Sequence, residues 1–376
     1  MHKSKKQSTH IPLFILGGIV LFILSNYIEE LRVLQGTTIA VYVIAISSII
    51  LLTGYSGQVS LGHGALMALG AYAAALLRFD FNLPIIVCFI AAVLVAAVGG
   101  LLLGLAAARL SGPYLAGTTL ALAIGLPSLA NQFPILGGEQ GKEFRVGPKD
   151  LDPEAVEAVA GESLTVVEKI LSFFGKLKET FTIGAWPDAL PETTYKWWFW
   201  IAALAALISM WSVRNILNSA YGRSWRAGRG QEVAAQLAGI NTARSKVLAF
   251  TLSAGIAGLA GALLAMSIGT VSPSAFPLAL SFSLLTGAVL AGITTLGGVI
   301  IGAVVLVAIP EIADVVAHRL GVSESVTTNL PGLIVSGLLI LTVLFVPNGP
   351  VEQHRARKAK HEAQHTSSKK SDSTKK

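Results

Sequence analysis

Segment 53–64, TGYSGQVSLGHG, holds the polar side chains that are best placed to handle a small molecule. It is rich in glycine and leads into an apolar run, yet it carries Gln58, Ser60 and His63. Irregular backbone is tolerated at membrane depth only where it is buried in protein or lines a watery cavity. These three side chains therefore predict either a hydrogen-bonding path for a solute or polar bridges between helices.

Chemistry of other kinds is not indicated by the sequence. The segment LGGEQGKEF lacks the spacing of a phosphate-binding loop, and Glu143 stands where that loop needs a hydroxyl. The nucleophile elbow G-x-S-x-G does not occur, and Cys88 is expected to be a small buried hydrophobe. His63 has no metal-ligand partner nearby in sequence. We expect no catalytic residue, no metal site and no cofactor bound by this chain.

The composition indicates what kind of chain positions these residues. It is 376 residues long, 53% hydrophobic and only 13% charged, whereas an average soluble domain is about 25% charged. Apolar runs of roughly 17–25 residues cross a bilayer as helices, and no alternation typical of outer-membrane strands occurs. We therefore predict an all-α, polytopic membrane helical bundle of about ten transmembrane helices. The predicted spans are 11–28 (a retained first helix), 33–52, 59–77, 84–107, 113–131, 196–213, 246–268, 277–292, 296–315 and 330–347.

The distribution of charge predicts on which side of the membrane each connecting segment lies. The arm 1–10, the loop 214–245 and the tail 351–376 are basic, and a ten-span count puts all three on one side. The positive-inside rule makes that side cytoplasmic, with both termini there. The insert 132–195 falls on the outer side and carries eleven acidic and six basic residues. Its spacing predicts short amphipathic helices outside the bilayer, and the tail is predicted to be disordered near anionic lipid.

Ionisable residues are nearly absent from the predicted spans, where Glu311 and Asp314 lie at one end of the ninth. A carrier driven by protons or sodium usually needs such groups inside its spans. The transmembrane domain, predicted as 11–350, therefore favours transport powered from elsewhere. A self-contained secondary carrier or channel and a non-transporting scaffold remain as alternatives.

The loop 214–245 contains GRGQEVAAQLAGI, a short helix pattern between two apolar spans. Glu232 suits its first turn, and Gly239 is placed to end it. A helix of about eight residues is marginal alone in water, so it is expected to dock against a partner. Its small apolar face is Val233, Ala234 and Leu237, and its flanking basic residues are Arg226, Arg229 and Arg244.

This stretch resembles the E-A-A-x-x-x-G cytoplasmic loop of ABC-importer permeases. Glu232, Ala234, Ala235 and Gly239 match the pattern, and Val233 departs from it. From about residue 30 to 350 the chain is similar to branched-chain amino acid ABC-transporter permeases of the LivM type. Four blocks carry this similarity, namely GYSGQVSLGHGALMALGAYAAALL (54–77), RLSGPYLAGTTLA (109–121), GRSWRAGRGQEVAAQLAGINTARSKVLAFTLSAGIAGLAGALLA (222–265) and LPGLIVSGLLILTVLFVPNG (330–349).

The resemblance implies an ABC-importer permease fold in a bacterial inner membrane, with ATP handled by separate ATPase subunits rather than by this chain. The implied partners are two ATPase subunits, a second and related permease subunit, an external solute-binding protein and membrane lipid, but no nucleic acid. The implied cargo is a branched-chain or other hydrophobic amino acid. Residues implied to couple to the ATPase are Arg226, Arg229, Glu232, Ala234, Ala235 and Gly239. Residues implied to line the substrate pathway are Gln58, Ser60, His63, Tyr114 and Thr118.

Two departures leave the cargo open. LGGEQGKEF stands where the family commonly has a glycine-rich G-S-D-G-like segment, and the insert at 140–190 looks longer than usual. Permeases for urea or short amides look alike at this level, so they remain an alternative. Whether the permease pair is homomeric or heteromeric is open too.

Overall fold

The computed structural model describes residues 30–81, 83–110, 113–144 and 194–320, and part of 330–344. The predicted span 11–28, most of the insert and the tail 351–376 lie outside these ranges. So do the amphipathic helices predicted for the insert and the proposed basic arm at 1–10. The predicted division into domains is untested.

Long helices make up the described chain. The first, α1 (Glu30–Ile49), continues into a π-helical turn at Ile50–Tyr55. The residues described between 330 and 344 are also helical. The remaining helices are α2 (His63–Phe79), α3 (Ile85–Arg109), α4 (Pro113–Gln132), α5 (Thr194–Asn218), α6 (Ala220–Gly230), α7 (Glu232–Leu237), α8 (Thr242–Ile268), α9 (Leu278–Ala291) and α10 (Val299–Leu320).

Short elements complete the part of the fold that the structure describes. Two strands, β1 (Lys142–Glu143) and β2 (Thr270–Val271), pair antiparallel with Lys142 opposite Val271. The all-α prediction did not include this pair, because two-residue strands leave no periodic signal. Four 3-10 turns lie at Pro134–Leu136, Gly138–Gln140, Pro273–Ala275 and Leu296–Gly298.

Six helices within the described ranges are long and apolar enough to cross a membrane. A seventh is possible if α4 and the 3-10 turns after it, bent by 99°, form one span. These findings confirm a helical membrane bundle, but not the count of ten. The predicted span 59–77 needs correction, because α2 begins only at His63 and is 17 residues long. The backbone before it, from Gly57 to Gly62, is not helical.

Helix α8 lies at the centre of the bundle, packed against α1, α2 and α3. Its glycines Gly255, Gly258 and Gly261 recur every three residues, and small residues of this kind let helix backbones approach closely in lipid. A Cβ built on Gly258 would lie 2.3 Å from the Ala96 Cβ, and one on Gly261 would lie 1.9 Å from the Met67 carbonyl oxygen. Larger side chains at these positions would push α2 and α3 away.

The outer surface of α3 is apolar and exposed, as expected for a helix that faces lipid rather than water. Its exposed side chains recur along one side and include Ile86, Ile90, Leu94, Val98, Leu102 and Leu105. The bilayer is therefore the natural solvent for this face.

The two ends of α8 mark the two ends of the bundle. At its start the Trp225 Nε1 of α6 donates to the Ser245 carbonyl oxygen, 2.9 Å away. At its end it leads into β2, which pairs with β1. There the Lys142 Nζ lies 2.8 Å from an Asp80 carboxylate oxygen. Since α8 is about 40 Å long, the loop 214–245 and the beginning of the insert lie at opposite ends.

Candidate functional site

The segment between α1 and α2 is an irregular stretch of backbone inside the bundle. It begins at Gly57, whose φ of +74° turns the chain away from the π-helical turn. Ser60 and Gly62 are buried, whereas Val59 is 45% exposed. The Leu61 N–H donates to the Thr119 Oγ1 of α4, 3.0 Å away. The segment is thus held against α4, and one of its backbone hydrogen-bond donors finds its acceptor there.

His63 is fully buried and links three helices. Its Nε2 lies 3.0 Å from the Ser253 Oγ of α8, and that hydroxyl donates to the Ser48 carbonyl oxygen of α1, 2.8 Å away. Because the serine proton is already used, the imidazole Nε2 must be the donor. Its Nδ1 has no hydrogen-bond partner among the described residues. This geometry is that of a polar bridge between helices, one of the two roles predicted for it.

Gln58 and Ser60 lie in different surroundings. The Ser60 Oγ accepts from the Gly62 N–H at 3.4 Å and is buried. Gln58 is half-buried, and its carbonyl oxygen accepts from the Thr53 Oγ1 at 3.1 Å. Its side chain faces a small cavity that also touches the loop 214–245. The other residues lining this cavity are Ser56, Ser224, Trp225, Gly228, Glu232, Thr242, Ser245 and Lys246.

Tyr114 and Thr118 lie on α4, away from the buried His63. Tyr114 is 77% exposed, and the Thr118 Oγ1 donates to the Tyr114 carbonyl oxygen at 2.9 Å. The exposed positions of α4 follow helical spacing along one face. On this face lie Tyr114, Gly117, Ala121, Ile124, Ser128 and Asn131, and Leu129 and Gln132 near the end of α4 are exposed as well. The five pathway candidates are therefore not brought together around one cavity in the described structure.

The short helix α7 ends as its sequence predicts. Gly239 has a φ of +84°, its N–H donates to the Gln236 carbonyl oxygen at 2.9 Å, and the Ile240 N–H donates to the Ala235 carbonyl oxygen at 3.0 Å. This pair of bonds is a Schellman motif, which glycine favours because a Cβ opposes the left-handed conformation. The chain turns sharply there and begins α8 at Thr242.

One face of α7 is apolar and points away from the bundle. Val233 is 70% exposed and Leu237 is 86% exposed, with Ala234 beside them. On the opposite face Ala235 is only 4% exposed and packs inward. Of the two alanines that match the family pattern, Ala235 packs against the bundle and Ala234 lies on the exposed surface.

Two contacts hold α6 and α7 to the start of α8. The Glu232 carboxylate lies 2.8 Å from the Lys246 Nζ, and the buried Trp225 ring bonds the Ser245 carbonyl through its Nε1. Glu232 thus has a partner within its own chain. The predicted helix start at Glu232 agrees with the bounds of α7.

Arg226 and Arg229 contact the π-helical turn that follows α1, rather than α7. The Arg229 Nη1 donates to the Gly54 carbonyl oxygen, and the Arg226 guanidinium carbon lies 5.8 Å from the centre of the Tyr55 ring. Sequence patterns group both arginines with the flanks of the docking helix. Their contacts join residues about 175 positions apart in sequence, and no local sequence motif predicts such contacts.

No group of His, Cys, Asp and Glu in the described residues is arranged to hold a metal ion. The tail segment HEAQH (361–365) has the H-E-x-x-H spacing of a zinc site, which runs against the expectation that this chain binds no metal. It lies outside the described ranges, so that expectation stays a prediction.

Comparison with known proteins gives one consistent family. The family model described as "Branched-chain amino acid transport system / permease component" matches residues 34–344. The high-affinity branched-chain amino acid transport system permease protein LivM of Salmonella typhimurium is 31% identical over 315 residues, 83% of this chain and 68% of the relative. The corresponding LivH of Escherichia coli is 32% identical over 157 residues, 42% of this chain and 47% of the relative.

Similarity over a shorter part of the chain extends to a permease that is named for another cargo. The fructose import permease protein FrcC of Rhizobium meliloti is 32% identical over 144 residues, 38% of this chain and 36% of the relative. No solved structure shows a significant match to the chain.

Proposed function

Because this chain belongs to the branched-chain amino acid transport system permease family, we propose that it forms the membrane path of an ATP-driven importer of branched-chain or other hydrophobic amino acids. The family's members are membrane components of transporters, and the helical bundle described above fits that role. ATP is bound and hydrolysed by separate ATPase subunits, so this chain is not itself an enzyme and carries no cofactor.

The observation that carries this proposal is the exposed apolar face of α7. A six-residue helix has no stability of its own in water, yet its two large apolar side chains, Val233 and Leu237, point outward. Such a face is buried only by a partner whose surface offers an apolar cleft. The basic character of the surrounding loop supports a cytoplasmic position, and an ATPase subunit is the partner that we propose for this face.

The exposed face of α4 supports a second permease subunit. Small residues there, Gly117, Ala121 and Ser128, allow another helix to approach closely in lipid. Tyr114 and Thr118 would then border the path between the two permeases. Similarity to both a LivM and a LivH protein supports a related, heteromeric partner. An external solute-binding protein delivers cargo at the opposite end, which carries β1 and β2.

The cargo proposal rests on neutral polar groups. Carboxylates in the described spans are confined to the start of α1 and the second half of α10, namely Glu30, Glu311 and Asp314. Glu311 accepts a hydrogen bond from the Gln35 amide of α1. A small zwitterion handed over by a binding protein needs no fixed counter-ion along its route. The chain is also similar to a permease named for fructose import, so other neutral cargoes are compatible with this fold. Urea or a short amide is the alternative cargo.

The test is reconstitution of the whole importer in proteoliposomes with radiolabelled leucine. We expect uptake that needs ATP and the solute-binding protein, with competition by isoleucine and valine but not by urea. Val233→Asp combined with Leu237→Asp should abolish copurification of the ATPase. Ile135→Asp, an exposed apolar position at the opposite end, is the matched control and should retain it. Leucine uptake without ATP would instead identify a secondary carrier.

A further inference from the structure

The last two residues of the π-helical turn, Gly54 and Tyr55, form a junction between two loops that are remote in sequence. One side of the junction is α6, which leads directly into α7. The other side is the connection 292–295 between α9 and α10. We call these two residues together with their partners on both sides the α1 junction.

On the α6 side, two arginines one helical turn apart hold the junction. Arg229 donates to the Gly54 carbonyl oxygen, and Arg226 lies over the Tyr55 ring, 5.8 Å from its centre. The last carbonyls of a helix have no partner within the helix, and a guanidinium placed there also meets the negative end of the helix dipole. The bond from Arg229 is charge-assisted and so stronger than a neutral one.

On the other side, the same two residues meet the connection between α9 and α10. The Tyr55 hydroxyl donates to the Thr294 carbonyl oxygen, 3.0 Å away. A Cβ built on Gly54 would lie 1.8 Å from the Ile293 carbonyl oxygen. The backbone of α1 is therefore in direct contact with this connection, with no side chain between them to absorb a displacement.

The stem of the Arg229 side chain packs on the chain that leaves the π-helical turn, although the residue as a whole is exposed. A Cβ built on Gly57 would lie 2.9 Å from the Arg229 Cγ, so the stem of the arginine packs closely on the chain leaving α1. That chain is the irregular segment 57–62, which contains Ser60 and leads to His63. π-Helical turns are frequent at functional sites, and this one carries the contact.

From this arrangement, and resting on the proposed function, we propose that Arg229 is a positioning residue for transport. It does not touch the ATPase. It transmits displacement of α7 to the end of α1, and the Tyr55 hydroxyl passes it on to the connection between α9 and α10. The bond to the Gly54 carbonyl thereby links ATPase movement to the irregular segment 57–62.

The test compares arginines on the same helix within the complete importer. Arg229→Gln removes the charge-assisted bond. Arg223→Gln is the matched control, because in the described part of the chain the Arg223 guanidinium donates to the Asn218 carbonyl within its own loop. We expect Arg229→Gln to copurify with the ATPase while leucine uptake per ATP falls about tenfold. Arg229→Lys should restore part of the loss, since an ammonium still donates to the carbonyl. Arg223→Gln should keep the wild-type ratio.

Two further measurements separate transmission from folding. Tyr55→Phe removes only the hydroxyl bond and should lower uptake per ATP about twofold to fivefold. A spin label at Val59, in a Cys88→Ala background, should change mobility on ATP binding in the control and not in Arg229→Gln.

A wild-type uptake ratio together with a wild-type label response in Arg229→Gln would overturn the proposal. So would loss of the ATPase from Arg229→Gln, since Arg229 would then belong to the docking surface. If instead Val233→Asp with Leu237→Asp leaves ATPase binding and uptake intact, the proposed function itself fails.

Discussion

Glu232 and Lys246 form an ion pair, 2.8 Å between carboxylate oxygen and ammonium nitrogen, that joins the first residue of α7 to the first turns of α8. The pair lies beside the cavity that Gln58 shares with the loop. Together with the buried Ala235 it holds α7 against α8, and so contributes to the direction in which Val233 and Leu237 point.

Glu232→Ala is expected to weaken coupling only mildly. The carboxylate side chain is 41% exposed, and partly exposed pairs and helix-end charges each contribute about 0.3–1 kcal/mol. Uptake per ATP in proteoliposomes should fall by no more than about fivefold, and Lys246→Ala should match it. A double variant that loses far more than either single one would show that each residue acts without the other.

Gly239→Val is expected to uncouple the importer more strongly. A β-branched residue cannot readily hold a φ of +84°, although a Cβ there would meet nothing within 4 Å. The effect is therefore one of backbone conformation, roughly 1–2 kcal/mol. Substrate-stimulated ATP hydrolysis should be lost while the permease still inserts. Gly239→Asn, which tolerates this conformation, and Gly228→Ala, in open space within α6, should both stay coupled.

His63→Ala is expected to lower thermal stability. It removes the donor to Ser253 in a bridge between α1, α2 and α8, and such bonds between membrane helices contribute about 0.6 kcal/mol on average. His63→Gln offers a replacement donor and should recover the Tm of the purified permease. If His63 instead lines the path, His63→Gln would shift the KM for leucine uptake with an unchanged Tm.

Orientation is tested by labelling single cysteines in a Cys88→Ala background. Val233→Cys should react from the cytoplasmic side, and Ala160→Cys should react from the outside, as charge and span parity predict. An outward-facing Val233 would place α7 beyond the reach of any cytoplasmic ATPase.

The sequence predicted most of what local physics decides. Long apolar runs located most of the described helices within a few residues, and a glycine after a short alanine-rich stretch located the end of α7. The start of α2 was misplaced because Val59 and Leu61 look apolar enough to extend a helix, whereas Gly57 and Gly62 take the backbone out of it.

The sequence did not predict contacts between residues that are far apart along the chain. His63 meets Ser253 at a separation of 190 positions, and Arg229 meets Gly54 at 175. Both depend on how helices pack, and packing of glycine-lined helices leaves no partner-specific signal in a single sequence. The pathway residues therefore stay predictions.

The glycine contacts of α8 have a mechanical consequence. Gly258 meets the Ala96 methyl group and the Ala92 carbonyl oxygen, and Gly261 meets the Met67 backbone, so no long side chain interlocks at these two points. Two such surfaces can slide along each other with few rotamer changes, which is the small shear by which packed helices shift. An axial displacement at the start of α8 would then carry the helix along as a stiff rod and reach β2, about 40 Å away.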